Sequence, residues 1–380
     1  DRYSPQGHFG AMFHKEEIDP IAGHVLGNAE GWLLDWLTAA QLPRFNSKGT
    51  LRVVREVGLG AWLSGFPPDL LAPARERACR QRDQLRDQGV EPLILGRTGY
   101  PHLLAQLPDA PWVLFAKGNV EALSKRRPLG VVGTRKASSV GHGAVAALFD
   151  GMEGEEWTMV SGMADGIDAA AHRMALDREV TTVACLAHGL HAVHPRSNRY
   201  LGERVVDEGG CWVSEYRWGT PPSKYTFPAR NRIIAGLVEA VVVVESGDPG
   251  GSLITARLAQ DYNRRVFALS PTWCAEAMRG NARLIREQVA ELLHAPEDLP
   301  RAMGWKTKSQ AVSMEGATKP SASLDEAVIS RLDPYQAQPF EVLVEKLEAD
   351  PKAVRKTLLE AELAGWVRCW PGDRFTRTVR

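Results

Sequence analysis

Three rhythms of apolar and polar residues succeed one another along the chain. Over residues 1–89 apolar positions recur at helical spacing, as in AEGWLLDWLTAA (29–40) and in PDLLAPARERACRQRDQLRDQG (68–89), which opens on proline. This part reads as a small helical N-terminal domain. From Val90 to Gly118 the pattern shortens to β-like runs, VEPLILG and PWVLFAKG, around the turn-rich GYPHLL. Between about Arg127 and His294 six β-rich runs follow: RPLGVVG, WTMVSG, TTVACLA, CWVSEY, AVVVVES and RVFALS. Each is succeeded by a turn and a helical stretch, the pattern of βαβ units around a parallel sheet covered on both faces. The expected class is therefore α/β with a doubly wound sheet over 90–302. AVVVVES, apolar on both faces, should be a central strand.

Residues 303–325 lose periodicity and gain Ser, Thr, Lys and Pro, reading as a linker. Beyond it, 326–380 contain three helical segments, LDEAVISRLD (from Leu324), FEVLVEKLE and PKAVRKTLLEAELAG. The following WVRCWPGDRFTRT should be a hairpin turning at Pro371, Gly372 and Asp373. Three short helices and a hairpin predict a winged-helix domain.

Composition narrows the function. With 46 basic and 46 acidic residues the formal charge is zero, so any polyanion site must be a local patch. The five cysteines lie far apart without metal-ligand spacing, which fits a reducing compartment, and no apolar run is long enough to span a membrane. A cytoplasmic protein is expected, without a metal or cofactor. A start at Asp1 is compatible with N-terminal processing or trimming.

Candidate chemistry sits in the turns that end the strands, where ligands bind in open α/β sheets. The first turn, VVGTRKASSVG, is not a dinucleotide fingerprint: the G-x-G-x-x-G spacing is missing, and Arg135 and Lys136 follow Gly133. Ser138 should cap a helix whose free N–H groups face an anion. The second turn, VSGMADGIDAAAH, brings Ser161, Gly162 and Ala164 close to a ligand, with Asp168 as partner of the helix dipole rather than catalytic acid. The third, SGDPGGSLITA, offers Gly250, Gly251, Ser252 and Thr255. The most informative stretch is EYRWGTPPSKYTFPARNRIIAGL (215–237), which holds no acid between Glu215 and Glu239. There Arg217, Lys224, Arg230 and Arg232 alternate with Tyr216, Trp218, Tyr225 and Phe227, as a single-stranded nucleic-acid site with stacking platforms requires. His172, His188, His191 and His194 have no metal-binding spacing. Ser161 and Ser246 lack the context of a catalytic nucleophile.

These motifs resemble the DNA-processing protein A family, DprA or Smf. GVVGTRKAS, VSGMADGIDAAAH, FPARNRIIAGL, GGSLITA and GNARLI carry the resemblance, joined by GYPHLL with PDAPWVLFAKG and by LLEAELAGWV. The resemblance implies an extended Rossmann-like domain that binds single-stranded DNA and forms homodimers. It implies loading of the RecA recombinase onto incoming strands in natural transformation, and no enzyme activity. Carried over by position, Arg135, Arg230 and Arg232 would contact phosphates, with Asn231 between the last two. Ser161, Gly162, Gly251 and Ser252 would supply donors. The chain departs from the family at Ser270-Pro271-Thr272, where a Pro-Gly pair is frequent, and in RSNRYL, which keeps Asn198 and Leu201 but loses a frequent glycine.

A second reading is a nucleotide phosphoribohydrolase-like enzyme, suggested by Pro249-Gly250-Gly251. Its P-G-G-x-G-T-x-x-E motif would place Leu253 and Ile254 at the glycine and threonine, and Arg257 at the catalytic carboxylate, where a cation cannot stabilise an oxocarbenium-like centre. A third, a small-nucleotide sensor, would use the same pocket, but the long basic and aromatic loop favours a polymer. In the C-terminal domain, PKAVRKTLLEAELAG mixes Lys352, Arg355 and Lys356 with Glu360 and Glu362, so protein contact and duplex binding both stay open.

Overall fold

The computed structural model describes residues 29–42, 45, 48–270, 276–305, 324–333, 337–363, 366–370 and 372–378. Residues 306–323 of the expected linker lie outside them, as do Pro271, Thr272, Cys274 and Pro371 of the sequence readings. The chain divides after Lys306 into two compact units.

In the first unit, helices α1 (Ala29–Ala39), α2 (Lys48–Val57), α3 (Leu59–Ser64) and α4 (Pro68–Asp87) precede the sheet. Pro68 opens α4 at a position where no backbone donor is lost. The apolar stripe of α1 buries Trp36 and Leu37. Trp36 packs edge-on to Phe115 at 6.0 Å between centroids, and Phe45 to Trp112 at 5.9 Å. Such ring pairs add about 0.5–1.5 kcal/mol beyond the area they bury. The helices and the sheet thus share one hydrophobic core.

The sheet is built from β1 (Val90–Ile94), β2 (Val113–Gly118), β3 (Pro128–Val132), β4 (Thr158–Ser161), β5 (Thr181–Cys185), β6 (Cys211–Ser214), β7 (Ala240–Val243), β8 (Arg265–Leu269) and β9 (Glu291–Leu293). Between them run α5 (His102–Ala105), α6 (Ser139–Gly151), α7 (Ile167–Asp177), α8 (Arg199–Asp207), α9 (Thr226–Leu237), α10 (Gly251–Asp261) and α11 (Arg279–Arg286), and α12 (Asp298–Ala302) follows β9. The order is β1-β2-β6-β5-β4-β3-β7-β8-β9. β3 to β9 are parallel, and β2 and β1 extend the β6 edge antiparallel. The chain winds outward from β3 to β6, then returns to the other side of β3 as β7. That reversal is the topological switch point at which a crevice opens.

β7 lies between β3 and β8, and Val241, Val242 and Val243 are fully buried, each contributing roughly 1.5–3 kcal/mol of transfer free energy. Its apolar run on both faces is thus accounted for. β9 escaped the sequence reading because it is three residues long and exposes Glu291 and Leu292.

The second unit comprises α13 (Leu324–Arg331), β10 (Gln338–Pro339), α14 (Phe340–Leu347), α15 (Pro351–Leu363), β11 (Val367–Trp370) and β12 (Arg374–Arg377). Its strands pair antiparallel in the order β10-β12-β11. Val328, Phe340, Leu343, Val354, Leu358 and Phe375 form its core. This is a winged helix. Arg355 of α15 pairs with Asp373 in the hairpin turn and stacks over Phe340 at 3.9 Å, so one of the three cations considered for nucleic-acid reading is engaged within the unit.

Candidate nucleic-acid interface

At the switch point the turns after β3, β4 and β7 converge on one cavity of about 700 Å³. It is lined by Gly133, Arg135, Ala164, Lys224, Phe227, Arg230, Asn231, Gly251, Ser252 and Thr255 among the residues expected from the sequence. Lys136, Ser138, Ser161, Gly162 and Arg232 are not part of its lining.

The helix ends around the cavity differ in what occupies them. Ser138 caps α6, its hydroxyl accepting from the Gly141 N–H at 3.0 Å. The buried Glu245 carboxylate then accepts from the Ser138 N–H at 3.0 Å and from its hydroxyl at 3.1 Å. The α6 end is therefore already paired with an internal anion. At α7, Asp168 accepts from the Gly162 N–H at 3.2 Å, and the Thr134 carbonyl accepts from Ile167 N–H. α10 is different: its N-cap, Gly250, supplies no capping side chain, and Gly250, Gly251 and Ser252 line the cavity. Of these three helices, α10 is the one whose first turn lines the cavity with no carboxylate on it.

Glycines serve two ends here. A Cβ on Gly133 would stand 2.5 Å from Ile167 Cγ1 and 2.8 Å from the Glu245 carbonyl, so this glycine lets the β3 turn pack onto α7 and the end of β7. Gly251 has open space where its Cβ would be, as a ligand-facing turn requires.

The arginines separate into two roles. Arg135 is exposed, with its guanidinium 5.0 Å from the centre of the half-buried Phe227 ring. Lys224 and Lys136 are exposed nearby in sequence, and Lys224 Nζ lies 5.1 Å from the Tyr225 ring centre. Arg230, in contrast, is only 4 % exposed. Its Nη1 donates to the carbonyls of Gly162, at 2.5 Å, and Cys185, tying α9 to the ends of β4 and β5. Burial lowers the pKa of this guanidinium, an effect opposed by Asp168, whose own pKa burial raises against the pull of Arg230. Arg230 thus lines the cavity while bracing α9 against the ends of β4 and β5. Arg232 turns elsewhere, donating to Glu215 and to the Asp109 carbonyl at 2.5 Å. Both arginines expected to meet phosphates through the R-N-R motif are thus held by the protein itself. Ser161 is fully buried, and its hydroxyl donates to the Val131 carbonyl at 2.6 Å. Gly162 is buried, its N–H given to Asp168. Ser252 lines the cavity, but its hydroxyl donates to Ser246 at 2.8 Å, so what faces outward is the backbone at this turn.

Two organisers were missed by sequence reasoning. Glu245 is an acid directly after an all-apolar strand, a position at which burial forces it to find donors. Asn281, in the GNARLI motif, is fully buried and accepts from the Ser246 N–H at 2.9 Å. Its amide donates to the Val243 and Val244 carbonyls at 3.0 and 3.1 Å, shaping the turn that carries Gly250 and Gly251. No group of three or more histidine, cysteine or acidic side chains among the described residues is arranged to hold a metal. No described helix is long and apolar enough to cross a membrane.

A doubly wound sheet with a cationic and aromatic cleft at its switch point, followed by a winged helix, defines the class: a Rossmann-like α/β protein with an appended winged-helix domain. The comparisons identify the family. The profile described as DNA recombination-mediator protein A matches residues 92–304, and that of the DprA winged helix domain matches 313–373. The chain belongs to the DNA recombination-mediator protein A family. It is 34% identical over 277 residues to Protein Smf of Escherichia coli, covering 72% of this chain and 74% of that one. It is 36% identical over 214 residues to the DNA processing protein DprA of Bacillus subtilis, covering 56% and 71%. The X-ray structure of DprA from Streptococcus pneumoniae superposes with a TM-score of 0.59 at 32% identity, over 74% of this chain and 99% of that one. DNA processing protein A from Helicobacter pylori, whose structure concerns its single-stranded DNA binding mode, shares the fold with a TM-score of 0.51 at 24% identity, over 56% and 95%.

Proposed function

We propose that this protein binds single-stranded DNA in the switch-point cleft, protects incoming strands and loads the RecA recombinase onto them in natural transformation and recombination. It acts in the cytoplasm as a homodimer and carries out no covalent step of its own. Residues 1–89, 90–302 and 326–380 serve as helical, strand-holding and winged-helix parts joined by the linker 303–325. The observation that carries the reading is the Arg135 guanidinium set over the Phe227 ring at the mouth of a cleft into which the open end of α10 points. A cation, a stackable ring and free backbone donors together suit a chain of alternating phosphates and bases. Membership of a family whose relatives include proteins named for DNA processing supports the same reading.

Arg257, at the position a phosphoribohydrolase needs for its carboxylate, is bound to Glu287 at 2.6 Å, which weighs against the hydrolase alternative. The test is a mobility-shift comparison of single-stranded DNA, duplex DNA and free nucleotides. Preferential retention of single strands is expected. Selective binding of a free nucleotide with release of its base would overturn the proposal.

A further inference from the structure

Beyond Phe227 lies a second cavity, of about 880 Å³, formed by the loops that follow β5 and β6. Its lining includes His188, His191, His194 and Trp218, with Lys117 and Arg196 on its walls. Four ring contacts run through it without a break. Phe227, which lines the first cavity, lies 5.9 Å from His194; His194 lies 6.3 Å from His188; His188 lies 6.2 Å from His191; and His191 lies 6.0 Å from Trp218. The outer members, His191 and His194, are exposed, and Trp218 is half-buried. The Phe227–His194 pair is therefore a shared threshold between the two cavities.

We propose that this second cavity is a nucleobase subsite that takes the next bases of a single strand after it leaves the switch-point cleft. The inference rests on the single-strand reading given above. His188 anchors its centre. This side chain is 1 % exposed, and its Nδ1–H donates to the Gly189 carbonyl at 2.9 Å. Nε2 is then an acceptor, and it has no hydrogen-bond partner among the described residues. Burial depresses the His188 pKa, with His191, His194 and Arg230 adding to the effect and the Gly189 carbonyl opposing it, which keeps the ring in the neutral, accepting form. Nε2 is closed off from solvent, so His188 acts as the buried support between the exposed His191 and His194 rings. The exposed rings offer stacking faces, and Lys117 and Arg196 offer counter-charge for the backbone. Glu203 and Asp207 also line the cavity; Glu203 is held by Arg199 at 2.9 Å. They place the backbone on the Lys117 and Arg196 side and the bases on the rings.

The experiment compares a short oligothymidylate that fills the first cleft alone with progressively longer ones, using fluorescence anisotropy on the full chain. For the parent protein, affinity should rise as the strand reaches His191. In His191→Ala that gain should shrink by roughly fivefold or more, the equivalent of one stacked base, while the short oligomer binds as before. His191→Phe should restore the gain, because a phenyl ring offers the same stacking face. In the parent, photocrosslinking of an iodouracil-substituted strand should label Trp218 or its neighbours, a readout independent of any variant's stability. Equal gains with length in parent and His191→Ala, or crosslinks confined to the Phe227 cleft, would overturn the second subsite alone. Failure of the parent to bind any oligomer would instead overturn the single-strand reading on which it rests.

Discussion

Exchanging Arg135 and Arg230 for alanine in turn should produce two different failures, although both lie in motifs with the same apparent purpose. Arg135 is exposed and touches the protein through the Phe227 ring, so its removal leaves the fold intact. On the single-strand reading, what it loses is a phosphate contact. Each such contact on a single strand contributes about 0.7 to the slope of log K against log salt, and relative to a 1 M reference this is about a fourfold loss of affinity at 0.15 M. Arg230→Ala removes the donor to two buried carbonyls and strands the Asp168 carboxylate. Breaking a buried charged arrangement by deleting one member costs roughly 3–5 kcal/mol. The assays are anisotropy titrations of labelled single strands from 50 to 400 mM salt, paired with urea unfolding. Arg135→Ala should keep the parent unfolding midpoint with a shallower salt slope. Arg230→Ala should lower the midpoint, and whatever remains folded should retain the parent slope. If both variants shift only the salt slope, the division into ligand and strut is wrong.

Further outcomes follow from the same geometry. Arg232→Ala should lower stability by roughly 1–3 kcal/mol, because the Glu215 carboxylate, whose pKa burial raises against the pull of Arg232, loses its donor; a shallower salt slope with unchanged stability would count against this. Gly133→Ala should cost about 1–3 kcal/mol in urea unfolding, since Ile167 and the Glu245 carbonyl stand within 2.8 Å of the new methyl, and an unchanged midpoint would show that the turn relaxes freely. His172 sets an acid limb. Burial, with Arg230 and Arg173, lowers its pKa from the ordinary 6.5 to about 3. Below pH 6.5 the unfolded chain takes up a proton there that the folded chain refuses, so stability falls with pH, by about 2 kcal/mol from pH 6.5 to 5. His172→Asn should flatten this window, and superimposable pH profiles would exclude His172 as the cause.

The sheet was legible because each parallel strand from β3 to β8 is an apolar run closed by a turn, and the period of such runs survives in the sequence. β9 was not, since a three-residue edge strand with two exposed positions carries no period. For the site, position was easier to read than role. The turns after β3, β4 and β7 do meet in one cavity, as sheet topology demands. Whether an arginine faces solvent or is buried was hidden, because FPARNRIIAGL gives Arg230 and Arg232 the same local surroundings as any basic helix face. The decision lies with distant residues: the Gly162 and Cys185 carbonyls for one, Glu215 and Asp109 for the other. The histidines show the converse. Their spacing argues against a metal site, yet spacing cannot show that three of them join Phe227 and Trp218 in a line of rings.

The absence of dinucleotide glycine spacing after β3 now has a physical cause. In a dinucleotide site the first helix end faces the pyrophosphate, and the glycines clear its path. Here that end, on α6, holds the Glu245 carboxylate, and α7 holds Asp168, so two positive helix ends are neutralised from within. The first glycine of the turn is kept for packing against Ile167. The remaining open end, on α10, lies across the crevice on the β7 side and provides about half a unit charge in a cleft open to solvent. That is too little to hold a run of phosphates. A full charge on a long side chain, placed at the β3 turn opposite α10, completes the site, and Arg135 occupies that position. Its guanidinium also lies over Phe227, so on the proposed single-strand reading the same residue would align phosphate and base and couple the cleft to the ring-lined surface beyond it.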